Sequence, residues 1–179
     1  MKPWKALKRV VHAHSPYRRI EDVLFELPDG REVTYSLNHV GKVVCVLALT
    51  RERQVVLARQ FRPGPNRVLD ELPGGGVDGE ENFEAAIRRE LVEETGYVPG
   101  QLMYLGTFLE DAYSTIERHG FLALDCERSG TQKLDENEFI EVVLKSLPDF
   151  YTQLRAGDST DAEVAWAGLL EAGLVKLEP

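Results

Sequence analysis

Residues 82 to 97 read Asn-Phe-Glu-Ala-Ala-Ile-Arg-Arg-Glu-Leu-Val-Glu-Glu-Thr-Gly-Tyr. Phe83, Ile87 and Leu91 recur at i, i+4 and i+8, with Ala86 on the same face, so the spacing predicts an amphipathic helix from about Asn82 to Thr95. Gly96 stands where a left-handed cap would end it. The last two turns carry Glu90, Glu93 and Glu94. Glu90 and Glu94 lie one turn apart on one face, and like charges so placed cost about 0.2 to 0.5 kcal/mol on an isolated helix. They also crowd the negative end of the helix dipole, where a stability-driven sequence would carry Lys or Arg. A hard divalent cation resolves this conflict. Magnesium accepts carboxylate oxygens, keeps several waters and bridges to phosphates. An exposed acidic face with no ligand is the plain alternative for such a cluster taken alone.

The flanking residues narrow the choice. Gly75 is followed after five residues by Glu81, and after seven more by Arg89-Glu90-Leu91-Val92-Glu93-Glu94-Thr95-Gly96-Tyr97. This run resembles the signature box of the Nudix hydrolase family. Its last position usually holds an aliphatic residue and here holds Tyr97. The resemblance implies that Glu90 and Glu94 ligate Mg2+, with Mn2+ as the alternative ion, and that Glu93 supports the metal cluster. It makes Glu81 an outer carboxylate, with Arg89 holding Glu81 or its neighbours through a planar fork. The backbone carbonyl of Gly74 would complete the metal shell, Gly75 would lie at the substrate, and the Gly74-Gly75-Gly76 run gives the loop its backbone freedom.

Outside the box, Arg59-Gln60-Phe61-Arg62-Pro63-Gly64 and Glu71-Leu72-Pro73-Gly74-Gly75 resemble the ADP-ribose pyrophosphatase and nucleotide-sugar group. Arg62 is then a candidate clamp on a phosphate or sugar. An ion pair with Glu71 or Asp70 is the alternative for that residue. By the same resemblance Glu117 contacts substrate. In Asp135-Glu136-Asn137-Glu138, Glu138 is a further metal ligand and Glu136 the base for the attacking water, with Glu93 as its rival. The Ser-Pro-Gly turn and the Pro about sixteen residues after the box, common in the ADP-ribose group, are absent; Asp111-Ala112-Tyr113-Ser114 stands there instead.

The resemblance implies a hydrolase that cuts a nucleoside diphosphate sugar, ADP-ribose first, to AMP and ribose 5-phosphate. GDP-mannose, another sugar nucleotide or a dinucleoside polyphosphate is the alternative substrate. A non-catalytic sensor of nucleotide sugars is the alternative of another class, against which the intact carboxylate set argues. A homodimer is implied too, built through the N-terminal strands, where Arg18, Phe25 and Tyr35 are candidates to touch an adenine.

The rest of the chain predicts a mixed α/β or α+β domain. Residues 1 to 40 read as an N-terminal strand extension with a hairpin (Val23–Leu27, turn, Val33–Leu37), and 41 to 179 as the main domain. Strands are predicted at Val43–Leu49, Gln54–Phe61, Leu102–Leu109, Phe121–Cys126 and Phe139–Leu144. A Pro- and Gly-rich loop is predicted from Pro63 to Gly79. Two terminal helices are predicted, Ser146–Ala156 and one starting at Thr160, whose hydroxyl and Glu163 have capping-box spacing. The formal charge of −9 disfavours nucleic acid and anionic membranes as partners, though a local metal or Arg can reverse the sign inside one cleft. No apolar run is long enough to span a bilayer and no signal-peptide core is present, so a cytoplasmic protein is expected. Cys45 and Cys126 are expected as buried reduced thiols, and the four histidines lack metal-ligand spacing with them.

Overall fold

A computed structural model describes residues 1–15, 18–39 and 41–176 of the chain. It has two compact units, Met1–Lys42 with Leu109–Arg118, and Val43–Phe108 with His119–Pro179.

The smaller unit carries an antiparallel three-stranded sheet in the order β1 (Lys5–Ser15), β2 (Arg18–Glu26) and β3 (Glu32–Asn38). The β2–β3 turn closes with Leu27 N donating to Arg31 O at 2.8 Å, and Gly30 there takes φ 87°, a conformation that favours glycine. Segment 109–118 joins this unit through backbone bonds: Asn38 N donates to Tyr113 O at 2.8 Å and Thr115 N to Asn38 O at 2.9 Å. Trp4, Phe25, Tyr35 and Tyr113 form a row of rings with neighbouring centroids 5.6 to 6.2 Å apart.

The larger unit is an eight-stranded sheet with helices on both faces, a mixed α/β fold. Its central path runs β11 (Glu141–Lys145), β5 (Val55–Arg62), β4 (Lys42–Thr50), β10 (Glu117–Arg128) and β8 (Tyr97–Val98). Strand β6 (Arg67–Glu71) pairs with β5, β7 (Gly74–Gly76) with β4, and β9 (Gln101–Leu109) with β10. The apolar runs of β4 and β5 are continuous because both of their faces are covered. Successive side chains alternate between faces. Val44, Val46, Ala48 and Val56 pack with Ala86, Ile87 and Leu91 of α1 (Phe83–Thr95). Cys45, Leu47, Leu49, Val55 and Leu57 pack with Phe150 and Leu154 of α2 (Leu147–Ala156) and Val164, Ala165 and Leu169 of α3 (Ala162–Glu171). Burying one Leu or Val in such a core contributes about 1.5 to 3 kcal/mol. Both cysteines are buried thiols outside any disulfide among the described residues, and burial pushes the Cys126 thiol up to about 12.

Three expectations are corrected. Segment 63–79 is not one loop: β6 folds back on β5 with Arg62 opposite Arg67, and β7 pairs with β4. Pro63, Gly64, Pro65 and Pro73 lie outside the strands and Gly74–Gly76 make up β7 itself, so the Pro and Gly density hides two short pairings. Strand β11 begins at Glu141 rather than Phe139, since the Ile140 carbonyl accepts from the side chain of Gln132. Helix α3 is not capped by Thr160. Asp161 is its N-cap and makes no side-chain cap bond, while the Thr160 hydroxyl donates to Glu71 Oε1 at 2.7 Å. By contrast Ser146 caps α2, accepting from Asp149 N.

Among the described residues no helix is long and apolar enough to cross a membrane.

Candidate active site

Helix α1 is fixed at both ends. Asn82 Oδ1 accepts from Ala85 N at 2.8 Å at the start, and Gly96, at φ 73°, closes the end by donating its N–H to Val92 O. With Ala86, Ile87 and Leu91 buried against the sheet, the helix cannot rotate without exposing them, so Arg89, Glu90 and Glu93 stand on a fixed polar side. Glu94 is the exception among the acids. It is only 5% exposed.

One guanidinium organises the group. Arg89 Nη1 donates to Glu90 Oε1 at 2.8 Å and to Glu93 Oε2 at 3.0 Å. Its Nε and Nη2 reach both oxygens of Glu81, at 3.3 and 3.1 Å, and Nη2 also donates to Gly76 O at 3.0 Å. The Glu81 hydrogen bond in turn is the main cause that holds the Arg89 proton far above its ordinary range, and the same bond pulls the Glu81 carboxyl down. Residues from the loop, the helix middle and the helix end thus share one cation.

The glycines touch the acids directly. Gly74 N donates to Glu94 Oε2 at 2.9 Å. A Cβ on Gly75 would lie 2.5 Å from Glu90 Oε1, whereas one on Gly74 would collide with the backbone of Val44 and Cys45. The two substitutions should therefore part. Gly75→Ala pushes the flexible end of Glu90 aside; we expect about a tenfold or greater loss of turnover, since a misplacement of 1 Å can cost 100-fold, with the melting temperature nearly unchanged. Gly74→Ala separates β7 from β4 and should cost about 1 to 3 kcal/mol as overpacking. Melting curves beside steady-state kinetics check both, and a Gly75→Ala enzyme of full activity refutes the placement of Glu90 at the reacting group.

Burial raises the pKa of Glu90, with Glu93 and Glu138 adding to it and Arg89 opposing. Burial pushes Glu94 up to about 8; Glu90 and Glu138 add repulsion, while the Gly74 N–H and the charge of Arg62 pull the other way. Glu138 is therefore within electrostatic reach of both carboxylates, and Arg62 of Glu94. Two desolvated carboxylates that repel each other and offer only hard oxygens match a hard divalent cation. The donors present fit Mg2+ at Glu90 and Glu94. Among the described residues no three His, Cys, Asp or Glu side chains are closed around one point. Glu138 is turned into its own loop, its Oε2 accepting from Asp135 N at 3.0 Å.

The remaining sequence candidates fall as follows. Glu136 is exposed in the turn at 136–137. Arg62 pairs through Nε with Glu71 Oε2, and Glu71 is fully buried. Asp70, the other partner expected for Arg62, goes instead to Arg59 Nε at 2.6 Å and Lys145 Nζ at 2.6 Å. The Arg59 hydrogen bond is the main cause of its lowered pKa. Glu117 belongs to the smaller unit, with Lys42 Nζ 4.0 Å from its carboxylate. Gly74 meets Glu94 through its N–H. Of the two partners the sequence offered Arg62, the structure selects Glu71, and its full burial has no local signal. Sequence reasoning missed Gln132, a donor to the Glu94 carbonyl at 2.7 Å, which nothing local marks.

The model of the Nudix domain matches residues 39–165. The chain belongs to the Nudix family. An ADP-ribose pyrophosphatase of Bacillus subtilis (strain 168) is 33% identical to this Nudix protein over 150 residues, covering 83% of the chain and 80% of the relative. An ADP-ribose pyrophosphatase of Saccharomyces cerevisiae is 32% identical over 167 residues, covering 81% and 72%. A GDP-mannose pyrophosphatase of Citrobacter koseri is 32% identical over 133 residues, covering 69% of each. A crystal structure of an ADP compounds hydrolase superposes with a TM-score of 0.78 over 98% of both chains, at 20% identity, which speaks for the fold alone.

Proposed function

We propose that this Nudix protein is a Mg2+-dependent hydrolase that cleaves the pyrophosphate of a nucleoside diphosphate sugar, with ADP-ribose as its substrate and AMP and ribose 5-phosphate as products. The observation that carries this is the pair of a buried Glu94 and a partly buried Glu90, held against Gly74 and Gly75, with Glu90 braced by Arg89. The similarity of most of the chain to two ADP-ribose pyrophosphatases supports the choice of substrate.

When bound, Mg2+ would neutralise pyrophosphate oxygens and acidify a water. Glu90 and Glu94 would hold it, and the Gly74 carbonyl and Glu138, once Glu138 turned away from Asp135, would be further oxygen donors. Arg89 keeps Glu81, Glu90 and Glu93 from scattering under their mutual repulsion. Arg62, oriented by Glu71, presents its half-exposed guanidinium to a phosphate oxygen. Glu136 takes the proton as the water oxygen bonds to phosphorus; the bridging P–O bond breaks and its electron pair leaves with the departing phosphate ester. Glu93 is the rival base. The protein acts as a cytoplasmic homodimer through its N-terminal strands.

The GDP-mannose pyrophosphatase relative favours a second sugar nucleotide as the alternative. ADP-ribose, ADP-glucose, GDP-mannose and diadenosine polyphosphates, each assayed with MgCl2 and with MnCl2 and with products separated by chromatography, decide between them. We expect kcat/KM highest for ADP-ribose, with AMP and ribose 5-phosphate released. A higher value for GDP-mannose moves the assignment, dominance of diadenosine polyphosphates sinks the sugar-nucleotide class, and no metal-dependent turnover of any favours a binding protein.

A further inference from the structure

Helix α1 has no basic residue in its last turn, so its final carbonyls need donors from elsewhere. Glu93 O accepts from Lys133 N at 2.9 Å, and Gly96 O from Ser129 N at 3.0 Å. Glu94 O accepts from a side chain, Gln132 Nε2, at 2.7 Å. The same nitrogen donates to Ile140 O at 3.0 Å. Residues 132 and 140 bracket the loop that carries Glu136 and Glu138. One amide therefore ties both arms of that loop to the backbone of Glu94.

We propose that Gln132 is a positioning residue, a buckle that sets the Glu136–Glu138 loop against the carboxylate pair of α1. The proposal rests on Glu136 and Glu138 serving the hydrolysis proposed above. A primary amide has two N–H donors, and here each has a carbonyl. The flipped amide would place Oε1 against both carbonyls, so the side chain has one stable orientation. Glu at 132 could only accept, and Met would fill the space without donating. The tip of the loop holds itself only locally, through Glu138 N to Asp135 O at 3.0 Å and Asp135 N to Glu138 Oε2 at 3.0 Å. Residues 135 to 139 are exposed, so the distance from this tip to α1 is set at the base, by Gln132 and the Lys133 backbone bond. Glu138 on this loop lies close enough for its charge to raise the pKa of both Glu90 and Glu94.

The test compares Gln132→Met with Gln132→Lys, which keeps donors at similar reach. ADP-ribose turnover with MgCl2, thermal melting and amide hydrogen exchange are read on the full chain, with Glu136→Gln and Glu138→Gln in parallel. We expect Gln132→Met to lose about 100-fold in kcat with KM little changed, the scale of a misplacement of 1 Å. Exchange should rise at 133 to 139 while the α1 amides stay protected, and Gln132→Lys should recover most of the loss. Wild-type kcat in Gln132→Met, equal impairment of the Lys and Met variants, or loss of protection along α1 itself overturns the buckle. Full activity of both Glu136→Gln and Glu138→Gln overturns the loop's part in the reaction as well, which separates the two failures.

Discussion

Glu94→Gln should yield a folded protein that hydrolyses ADP-ribose at least about a thousandfold more slowly at saturating substrate and MgCl2, some 4 kcal/mol of barrier. The side chain is 5% exposed and its Oε2 accepts from Gly74 N. The amide oxygen of Gln accepts the same bond, and the volume is nearly conserved, so β7 stays where it is. Burial and the neighbouring Glu90 and Glu138 charges already disfavour an ionised group there, so a neutral one costs the metal-free fold nothing. The negative charge that a cation needs is lost. Removal of one buried anionic ligand weakens both the metal and whatever the metal stabilises in the transition state. Melting in EDTA should be unchanged or slightly higher, and product chromatography gives the rate. A variant that keeps a tenth of wild-type turnover refutes Glu94 as a ligand. If Glu90→Gln loses turnover to a similar degree and its melting is likewise kept, the pair acts as one site, and their effects should not add.

The parts of this molecule that were legible in its sequence are those where one period or one short spacing carries the information. Strands β4 and β5 show as apolar runs because both their faces are covered. Helix α1 shows by Phe83, Ile87 and Leu91, and its acids show by their offsets from Gly75 and Glu81. The illegible parts depend on a partner that the local pattern does not name. Thr160 has the local spacing of a cap, yet its hydroxyl goes to Glu71, 89 residues away, because a fully buried carboxylate outbids a helix end that water can serve. Strand β6 reads as loop because only its pairing with β5 makes Arg67–Glu71 a strand. The segment 109–118, where the sequence offers the end of a strand at Leu109 and a substrate contact at Glu117, is joined through Asn38 to the N-terminal sheet, a connection no spacing encodes. Gln132 is one polar residue in a polar loop until Glu94 and Ile140 are placed around it.

Arg89→Ala should be the most destabilising single change on the polar side of α1, and the loss should depend on metal. Glu90 is 14% exposed and has Arg89 Nη1 at 2.8 Å. Stripping a partly buried carboxylate of its cation costs about 2 to 3 kcal/mol, discounted from the fully buried case because Glu93 in the same cluster is 36% exposed. For a chain of this size that is roughly 4 to 12 °C in melting temperature. Water can solvate Glu93 after the change but reaches Glu90 poorly, so Glu90 should be the residue left in conflict with Glu94. A cation bound by this pair supplies the missing positive charge, and binding to the folded state alone stabilises it. The gap between wild type and Arg89→Ala should therefore shrink in about 10 mM MgCl2 compared with EDTA. Arg89→Lys restores the charge without the fork that spans Glu81, Glu90, Glu93 and Gly76, and should fall between the two. Melting curves of the three proteins, with EDTA or MgCl2, decide it. A gap that MgCl2 leaves untouched would mean that Arg89 braces the loop and helix independently of any ion, and that Glu90 does not meet the metal.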